Sequence, residues 1–358
     1  MMASKKDNTS CAFWMTGQGP SSDIVISTRV RLARNLEAIP FPKRGTSEQL
    51  ANVVERVKVA LKATKSIGPA DFVELSDLKE TDRQVLVEEH LLSPQYIEQD
   101  KNKAVVFNRD KTVSIMVNEE DHLRIQSILP GLQVEDALKL ASDTDDALEE
   151  TLDYAFDEKL GYLSACPTNV GTGMRTSVML HLPALAMMNM TGQVLGAVSK
   201  VGLTVRGIFG EGTESSGNMV QISNQISIGR SEQDMARHLK VITGQVVDSE
   251  LQARNTLLSE VKPQIEDRVC RAYGIATNAR IISLDEAFKL LSDIKLGVDL
   301  GIINDVDPNF FKELIVKIMP YHIQRIVRAD DSLEKDINSI RACLIRERLG
   351  SSKEEKDV

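Results

Sequence analysis

The sequence feature that most constrains the fold is the segment AVVFNRDKTVSIMVN, residues 104–118. Two runs with strand-like alternation flank the turn-forming residues 108–111, and this pattern predicts a β-hairpin. HLRIQSIL, residues 122–129, continues the strand pattern directly afterwards. Strands joined by tight turns pair antiparallel, so we expect an antiparallel sheet rather than the βαβ alternation of a Rossmann fold.

Strand-like and helical segments mix up to about residue 230, and almost everything after Ser231 has helical periodicity. Further strands are predicted at 71–75, 203–210 and 218–228, and helices at 47–66, 80–93, 133–159 and from the loop CPTNVGTG (166–173) to about Met190. We therefore predict an α+β fold in which helices flank an antiparallel sheet and an all-α region follows. The predicted boundaries are an N-terminal segment at 1–23, a larger domain at 24–254 and a helical domain at 255–358, with a linker between about 250 and 265.

Composition excludes several functional classes. The net charge of -9 and the pI near 5.3 argue against a protein that coats nucleic acid or binds an anionic membrane. The four cysteines, Cys11, Cys166, Cys270 and Cys343, form no C-x-x-C pair, so neither a zinc site nor a disulfide framework is indicated. The first residues contain no apolar stretch typical of a signal peptide, and the most apolar run, 178–190, is too short to span a bilayer. We expect a soluble cytoplasmic protein.

The first predicted strand, within SDIVISTRVRLARN (22–35), carries two arginines on one face. Arg29 and Arg31 are two residues apart, so their side chains project to the same side about 7 Å from each other. Taken alone, such a face is more often ordinary solvated surface. The alternative is a polyphosphate held by two guanidinium groups. The sequence contains no G-x-x-x-x-G-K-[ST] loop, so a nucleotide would have to be held by side chains.

Other residues with suitable chemistry lie beside predicted turns and strand ends. Three more arginines lie next to such segments. Arg124 follows the acidic segment NEEDHL, Arg175 follows the glycine-rich GTGM, and Arg206 precedes the glycine-containing GIFGEG. An acidic run at 119–121 follows a strand, and Glu211 lies in a glycine-containing loop; both are ordinarily solvated polar segments. Cys166 lies in a polar loop, where a thiol is more accessible than usual, and His90 ends a charged helix. Together these residues favour a site for a phosphorylated ligand.

Four segments resemble, in order, the signature segments of the phosphagen (guanidino) kinases: STRVRLARN (27–35), VNEEDHLRIQ (117–126), CPTNVGTGMR (166–175) and VRGIFGEGTES (205–215). The resemblance covers roughly residues 22–250. It implies that the predicted larger domain, 24–254, is a guanidino-kinase catalytic domain. In these kinases a helical domain precedes the first signature, which here begins at Ser27, and about a hundred extra residues follow. This layout is similar to that of the bacterial protein-arginine kinases, whose guanidine site has room for an arginine within a protein.

The resemblance implies roles for particular residues. Glu120 and Glu211 would hold the guanidinium and take up a proton, and Cys166 would lie beside it as an oxidation-sensitive thiol. ATP would occupy a site formed by Ser27, Thr28, Arg29, Val30, Arg31, His90, Arg124, Arg175, Thr176, Ser177, Val178, Met179, Arg206, Gly207, Ile208, Phe209, Gly210 and Glu211. Mg²⁺ would be held through phosphate oxygens and water rather than by a protein ligand.

The predicted function is phosphorylation of arginine side chains in proteins, marking them for Clp-type proteolysis in a stress response. The resemblance also implies a small zinc-containing activator protein, a stress-gene repressor and a Clp ATPase/protease as partners. From the acidic composition we expect no nucleic-acid and no membrane partner. A homodimer remains open. Two alternatives remain: a kinase for free arginine or another small guanidine, and an adaptor whose kinase site is retired. The retained Glu120, Glu211, Cys166 and five arginines argue against the adaptor.

One difference from the family concerns regulation. Many protein-arginine kinases carry an Arg-Asp-x-x-Arg-Ala motif that senses phosphoarginine. The matching stretch here is 337–342, in which Ile337 and Asn338 replace the first pair while Arg341 and Ala342 are kept. We expect feedback activation to be weak or absent. Clear stimulation of kinase activity by added phosphoarginine would contradict this expectation.

Overall fold

A computed structural model describes residues 11–63, 68–207, 216–329 and 336–350. The strands in these ranges are β1 (Val25–Arg34), β2 (Ala70–Glu74), β3 (Ala104–Asn108), β4 (Val113–Val117), β5 (Leu123–Pro130), β6 (Phe156–Asp157), β7 (Gly161–Tyr162), β8 (Met174–His181), β9 (Leu203–Gly207) and β10 (Met219–Asn224). The helices are α1 (Phe13–Thr16), α2 (Ser47–Ala63), α3 (Glu80–Glu88), α4 (Val134–Glu149), α5 (Pro183–Met187), α6 (Thr191–Lys200), α7 (Glu232–Glu260), α8 (Lys262–Asn278), α9 (Leu284–Asp299), α10 (Phe310–Lys317), α11 (Pro320–Ala329) and α12 (Ile337–Gly350).

Eight strands form one antiparallel sheet in the order β2-β3-β4-β5-β1-β8-β10-β9. β1 lies in the interior of the sheet, between β5 and β8. Its Arg31 is opposite Gln126 of β5 and Arg175 of β8. Because directly paired residues of antiparallel strands project to the same side, this register places the polar residues of several strands on one face.

The two faces of the sheet are covered differently. Helices α4 and α7 pack on one face, where they contact β1, β5, β8 and β10. The arginine-bearing face borders a cavity whose far side is formed by α3, α9 and α10. The predicted α+β class, with an antiparallel sheet flanked by helices and followed by an all-α region, is confirmed.

The helix predicted after the loop 166–173 was wrong. The structure has a strand there, β8, followed by the short helix α5. β8 is an interior strand with six consecutive buried residues from Thr176 onwards, so apolar side chains occupy both faces. Without a solvent face the period-two alternation is lost, and the run resembles a buried helix.

The linker predicted between about 250 and 265 is helical instead. α7 continues to Glu260, and α8 begins at Lys262, with Pro263 in its first turn. A buried charge cluster joins α7 to α9: Arg254 contacts Glu250 on its own helix at 3.1 Å and Asp299 on α9 at 3.3 Å. These contacts hold the C-terminal helices, α8–α12, against the sheet-containing part of the chain.

A second junction connects the C-terminal helices to the end of α3. The Glu88 carboxylate accepts hydrogen bonds from the backbone amides of Tyr321 and His322, both at 2.9 Å, and from His322 Nδ1 at 2.6 Å. His322 Nε2 lies 3.6 Å from Glu89, which also pairs with Lys111 at 3.1 Å. Burial lowers the pKa of His322, but hydrogen bonds to Glu88 and Glu89 outweigh it and raise the pKa above 6.5.

The raised pKa predicts a pH-dependent junction. A histidine whose pKa is higher in the folded state stabilises the fold fully below its unfolded pKa, and loses this effect as pH rises through the folded value. Wild-type thermal stability should therefore decline above pH 6.5 by more than that of a His322→Gln variant. Melting curves between pH 6 and pH 9, each at ~0.15 M salt, would measure the difference. His238→Gln on α7 is the control, and equal slopes for His322→Gln and wild type would contradict the prediction.

No helix within the described ranges is long and apolar enough to cross a membrane.

Candidate active site

Five arginines meet along one wall of a cavity of about 380 Å³. They come from four neighbouring or nearly neighbouring strands, β1, β5, β8 and β9, and are Arg29, Arg31, Arg124, Arg175 and Arg206. The structure thus brings together all five arginines that the sequence singled out. We call this group the arginine floor.

The arginine floor concentrates positive charge in a partly enclosed space. Burial, with Arg124 and Arg175 nearby, lowers the pKa of Arg29 to about 10. Burial, together with the charges of Arg29, Arg124 and Arg175, lowers the pKa of Arg31 well below 12.5, while Glu119 opposes this shift. Like charges at this density are unfavourable unless an anion joins them, so the arrangement is suited to a polyphosphate.

Neighbouring polar groups orient individual arginines. Arg29 donates to Gln221 Oε1 at 3.3 Å, and Arg124 pairs with Glu119. Glu119 also accepts a hydrogen bond from Ser93 at 2.7 Å. Among the ion pairs of the described residues, Glu119 is the carboxylate that contacts the arginine floor.

His90 lies at the edge of the arginine floor. It has a positive φ of 60° just after α3, a conformation that a non-glycine residue adopts at some cost. Two contacts hold it: its carbonyl accepts from Gln126 at 2.9 Å, and its ring lies 5.5 Å from that of Trp14. Burial and the Arg29 charge lower the pKa of His90 to about 3, so the imidazole is neutral at neutral pH.

The remaining predicted nucleotide residues divide by the face they occupy. Met179 and Gly207 line the cavity with the arginines. Ser27 and Ser177 project to the same face from β1 and β8 but are buried outside the cavity lining. Four others project to the opposite face, where they are buried: Thr28, Val30, Thr176 and Val178. The side chains of this last group therefore lie away from the arginine floor. The predictions for Ile208, Phe209, Gly210 and Glu211 fall outside the described residues.

Three consecutive acids in the β4–β5 turn have different environments. Glu119 pairs with Arg124. Asp121 accepts hydrogen bonds from Asn35 Nδ2 at 2.6 Å and from the Ala165 amide at 2.7 Å. Glu120, between them, has no hydrogen-bond partner among the residues that the structure describes. The turn is therefore fixed on both sides of a carboxylate that is available to a ligand.

The environment of Glu120 favours proton uptake. Burial raises the pKa of its carboxyl above 4.5, and the carboxylates of Asp121 and Glu119 add to the rise, while Arg124 opposes it. A carboxylate with a raised pKa is a better base than an exposed one, provided it remains ionised at the working pH. Glu120 is therefore suited to hydrogen bonding with, and accepting a proton from, a guanidinium.

The loop that carries Cys166 is tied to this acidic turn. The Ala165 amide donates to Asp121, so the cysteine follows directly after a residue bonded to the neighbour of Glu120. On the other side, Ser227 Oγ lies within hydrogen-bond distance of the carbonyl oxygens of Thr168 and Val170, at 3.1 and 2.9 Å, and its single O–H is shared between them. Cys166 is half-buried, with its Sγ 3.0 Å from Thr168 Oγ1. The loop that carries the thiol is thus bonded to the turn that carries Glu120, and the same turn contacts the arginine floor through the pair of Glu119 with Arg124.

Sequence reasoning missed the residues that position this site. Arg34 is buried, donates to Asp145 at 2.9 Å through Nε, and donates to the Thr172 carbonyl at 2.8 Å. Asn35 connects the end of β1 to Asp121. Both residues lie in the segment 27–35 that was quoted above. The alternation of this strand places Arg34 on its apolar side, and that position could have indicated a buried arginine. A buried arginine on that side requires a carboxylate partner.

Two family models cover most of the chain. The ATP:guanido phosphotransferase, C-terminal catalytic domain, matches residues 52–253. The Protein-arginine kinase McsB C-terminal domain matches residues 262–358.

Individual proteins give a consistent picture. A protein-arginine kinase from Halothermothrix orenii is 50% identical over 96% of this chain and 97% of its own length. One from Symbiobacterium thermophilum is 49% identical over 94% of this chain and 96% of its own length. Among solved structures, a duplicated taurocyamine kinase from Schistosoma mansoni has a TM-score of 0.61 and 28% identity, with 69% of this chain and 37% of that chain covered. A lombricine kinase has a TM-score of 0.59 and 25% identity, with 70% and 71% covered.

Proposed function

Because this chain belongs to the family of protein-arginine kinases, we propose that it transfers the γ-phosphoryl group of ATP to arginine side chains of protein substrates. It is a phosphotransferase that acts on the arginine guanidino group. The observation that carries the proposal is the juxtaposition of the arginine floor with a turn and a loop that present Glu120 and Cys166. A polyphosphate and a guanidinium could be held side by side by these two sets of groups.

The arginine floor would bind the phosphates of ATP and stabilise the charge that develops on the transferred group. Phosphoryl transfer needs mainly positioning and charge neutralisation, both of which fixed guanidinium groups supply. Among the described residues, no group of three His, Cys, Asp or Glu side chains is placed to hold a metal ion. We therefore propose that Mg²⁺ is held by phosphate oxygens and water, where it would neutralise phosphate charge.

The carboxylates would bind and deprotonate the arginine side chain that accepts the phosphoryl group. An arginine guanidinium has a pKa above 12 and is not nucleophilic while fully protonated, so a proton must leave as the bond forms. We propose that Glu120 and Glu211 hydrogen-bond the guanidinium and that one of them accepts this proton. The nitrogen–phosphorus bond forms as the bond between the γ-phosphorus and the β–γ bridging oxygen breaks. ADP leaves with the bridging oxygen and the electron pair of the broken bond.

Mass spectrometry at neutral or mildly basic pH tests the activity, because the nitrogen–phosphorus bond is acid-labile. The protein would be incubated with Mg-ATP and either casein or free arginine, with and without the zinc-containing activator that the family resemblance implies. Phosphoarginine on casein is the expected product. Product from free arginine alone would favour a small-guanidine kinase, and no product in any reaction would favour an adaptor with a retired site.

We expect Cys166→Ser to lower kcat about tenfold, because a cysteine sulfur beside the guanidinium would help to fix the orientation of the acceptor. The same change should remove most of the sensitivity of the enzyme to peroxide. Cys270→Ser is the matched control, since Cys270 is exposed on α8. Burial, with Glu347 adding to the effect, raises the pKa of the Cys343 thiol, which makes it a poor competitor for oxidant. Full activity and unchanged peroxide sensitivity in Cys166→Ser would rule out both roles.

The biological setting and the domain division also remain proposals. We propose that arginine phosphorylation marks proteins for a Clp-type protease, with a stress-gene repressor among the targets, in the cytoplasm. We also retain the division at 24–254 and 255–358; the family-model boundaries at 253 and 262 support it, although α7 runs through it to Glu260. Phosphorylation of purified repressor, with and without activator, followed by degradation by the Clp protease, would test the setting.

A further inference from the structure

The cavity beside the arginine floor is lined by two chemically different groups of side chains. One group is the arginine floor. The other, which we call the apolar end, consists of apolar side chains from two separate parts of the chain. The sheet contributes Met179 and Met219, and the C-terminal helices contribute Phe288, Ile315, Val316 and Met319. A cavity of about 380 Å³ with a charged end and an apolar end is within the usual range for a small-ligand site.

The C-terminal residues reach the cavity from one continuous surface. Phe288 lies on α9, Ile315 and Val316 lie on α10, and Met319 lies two residues after the end of α10. The first three are at least 94% buried, so the cavity wall is a packed surface and not a loose edge. The C-terminal helices are therefore placed to contact a ligand that also contacts the arginine floor.

The contacts that fix this wall are short and buried. Ser292 of α9 lies 2.8 Å from both His181 Nε2 of β8 and Asn218 Nδ2 before β10. At the other end of the wall, Glu88 bonds to the first turn of α11. Since the wall is bonded to the sheet and to α3 at both ends, its distance from the arginine floor is set by the fold. A preformed site of this kind loses little entropy when a ligand binds.

The chemistry of the apolar end selects a flat, mainly apolar group attached to a polyphosphate. Methionine side chains adapt to the faces of aromatic rings, and Phe288 adds an aromatic surface. Gln95 and Gln221, which also line the cavity, carry amides that could bond to polar ring edges. His90 also lines the cavity and contributes a neutral imidazole. A purine base carried on a triphosphate has these properties.

We propose that the C-terminal helices form one wall of the nucleobase subsite, so that Phe288, Ile315, Val316 and Met319 contact the adenine of ATP. This inference rests on the proposed function, because it takes ATP as the ligand of the arginine floor. The C-terminal helices are then part of the nucleotide site itself. Residues that distinguish ATP from a bare polyphosphate come from both halves of the chain.

Comparing ATP with inorganic tripolyphosphate tests the wall, because tripolyphosphate matches the phosphates and lacks the base. Isothermal titration calorimetry of the full chain with each molecule, in the presence of Mg²⁺, would give both values of Kd. We expect Met319→Ala to weaken ATP binding about tenfold and to leave tripolyphosphate binding within about twofold of wild type. Met188→Ala, which changes another half-buried methionine outside the cavity lining, should leave both unchanged.

A milder variant guards against loss of folding. Phe288→Leu keeps an apolar side chain and should weaken ATP selectively, whereas Phe310→Leu, outside the cavity lining, should not. Equal affinity of the wild type for ATP and tripolyphosphate, or equal losses for both in the wall variants, would overturn the subsite. If the wall variants lose affinity for ATP but not for tripolyphosphate, and the wild type forms no phosphoarginine, the proposed activity would be overturned while the proposed subsite would stand. Binding of neither molecule would overturn both proposals.

Discussion

Replacing Glu120 with glutamine lowers kcat for arginine phosphorylation by about 100- to 10,000-fold, the range for loss of a general base. Glutamine is nearly isosteric and preserves hydrogen bonding, but it cannot accept the proton that the guanidinium must lose. The turn should remain in place because Glu119 still pairs with Arg124 and Asp121 still accepts from Asn35 and Ala165. The KM for ATP should change little, since Glu120 is outside the lining of the nucleotide cavity.

Quench-flow or steady-state kinetics on casein, followed by mass spectrometry, would measure the loss. Glu48→Gln, an exposed position on α2, is the control for a generic effect of removing a carboxylate. Because the pKa of Glu120 is raised, wild-type activity should fall on the acid side at a pH above the usual carboxyl value of 4.5. A Glu120→Gln enzyme with near-normal kcat, or one that loses affinity for ATP instead, would assign proton removal to another group.

Replacing Arg31 with methionine should have two opposite effects: a loss of kinase activity of about 1,000-fold or more, and a more stable free protein. Activity falls because the arginine floor loses a guanidinium that would neutralise phosphate charge. Stability rises because Arg31 is placed among Arg29, Arg124 and Arg175, and its Nε has no hydrogen-bond partner among the described residues. Substituting an apolar side chain for a desolvated charge of this kind can stabilise a fold by about 1–2 kcal/mol.

Thermal melts of both proteins, with and without tripolyphosphate, would separate these effects. Without ligand the Arg31→Met protein should melt at the higher temperature. With tripolyphosphate the wild type should gain more, because a ligand stabilises in proportion to its affinity for the folded state. Arg44→Met at an exposed position is the control. A lower melting temperature for Arg31→Met in the absence of ligand would mean that the arginine side chain contributes packing that the repulsion does not offset.

The sequence was sufficient to predict the parts of the fold that depend on local patterns. The hairpin at 104–118 appears as β3 and β4, and the arginine face of β1 faces the cavity as its alternation indicated. β8 was missed because a strand covered on both faces loses that alternation. The division of labour among Glu119, Glu120 and Asp121 could not be predicted, because it depends on partners distant in sequence, Asn35 and Ala165.

The apolar end of the cavity illustrates a different limit. Phe288, Ile315 and Val316 have the spacing of ordinary core residues on amphipathic helices. Nothing local distinguishes a residue that packs against its own helices from one that faces a cavity shared with the sheet. That distinction arises from tertiary packing: α9 docks on β8 through Ser292, and α11, which directly follows α10, docks on α3 through Glu88. The family resemblance identified the arginines and carboxylates because they lie within the signature segments. It could not identify residues that lie elsewhere in the sequence and pack against those segments.

The interior position of β1 also determines when the arginine floor can form in a newly synthesised chain. β1 emerges from the ribosome early, but one of its two neighbours, β8, and the two strands beyond it are made much later. Until these strands have been synthesised, Arg29 and Arg31 are present without Arg175 and Arg206, the other arginines that line the cavity from this side of the sheet. A partly made chain therefore cannot assemble the arginine floor until nearly two thirds of its length has been translated.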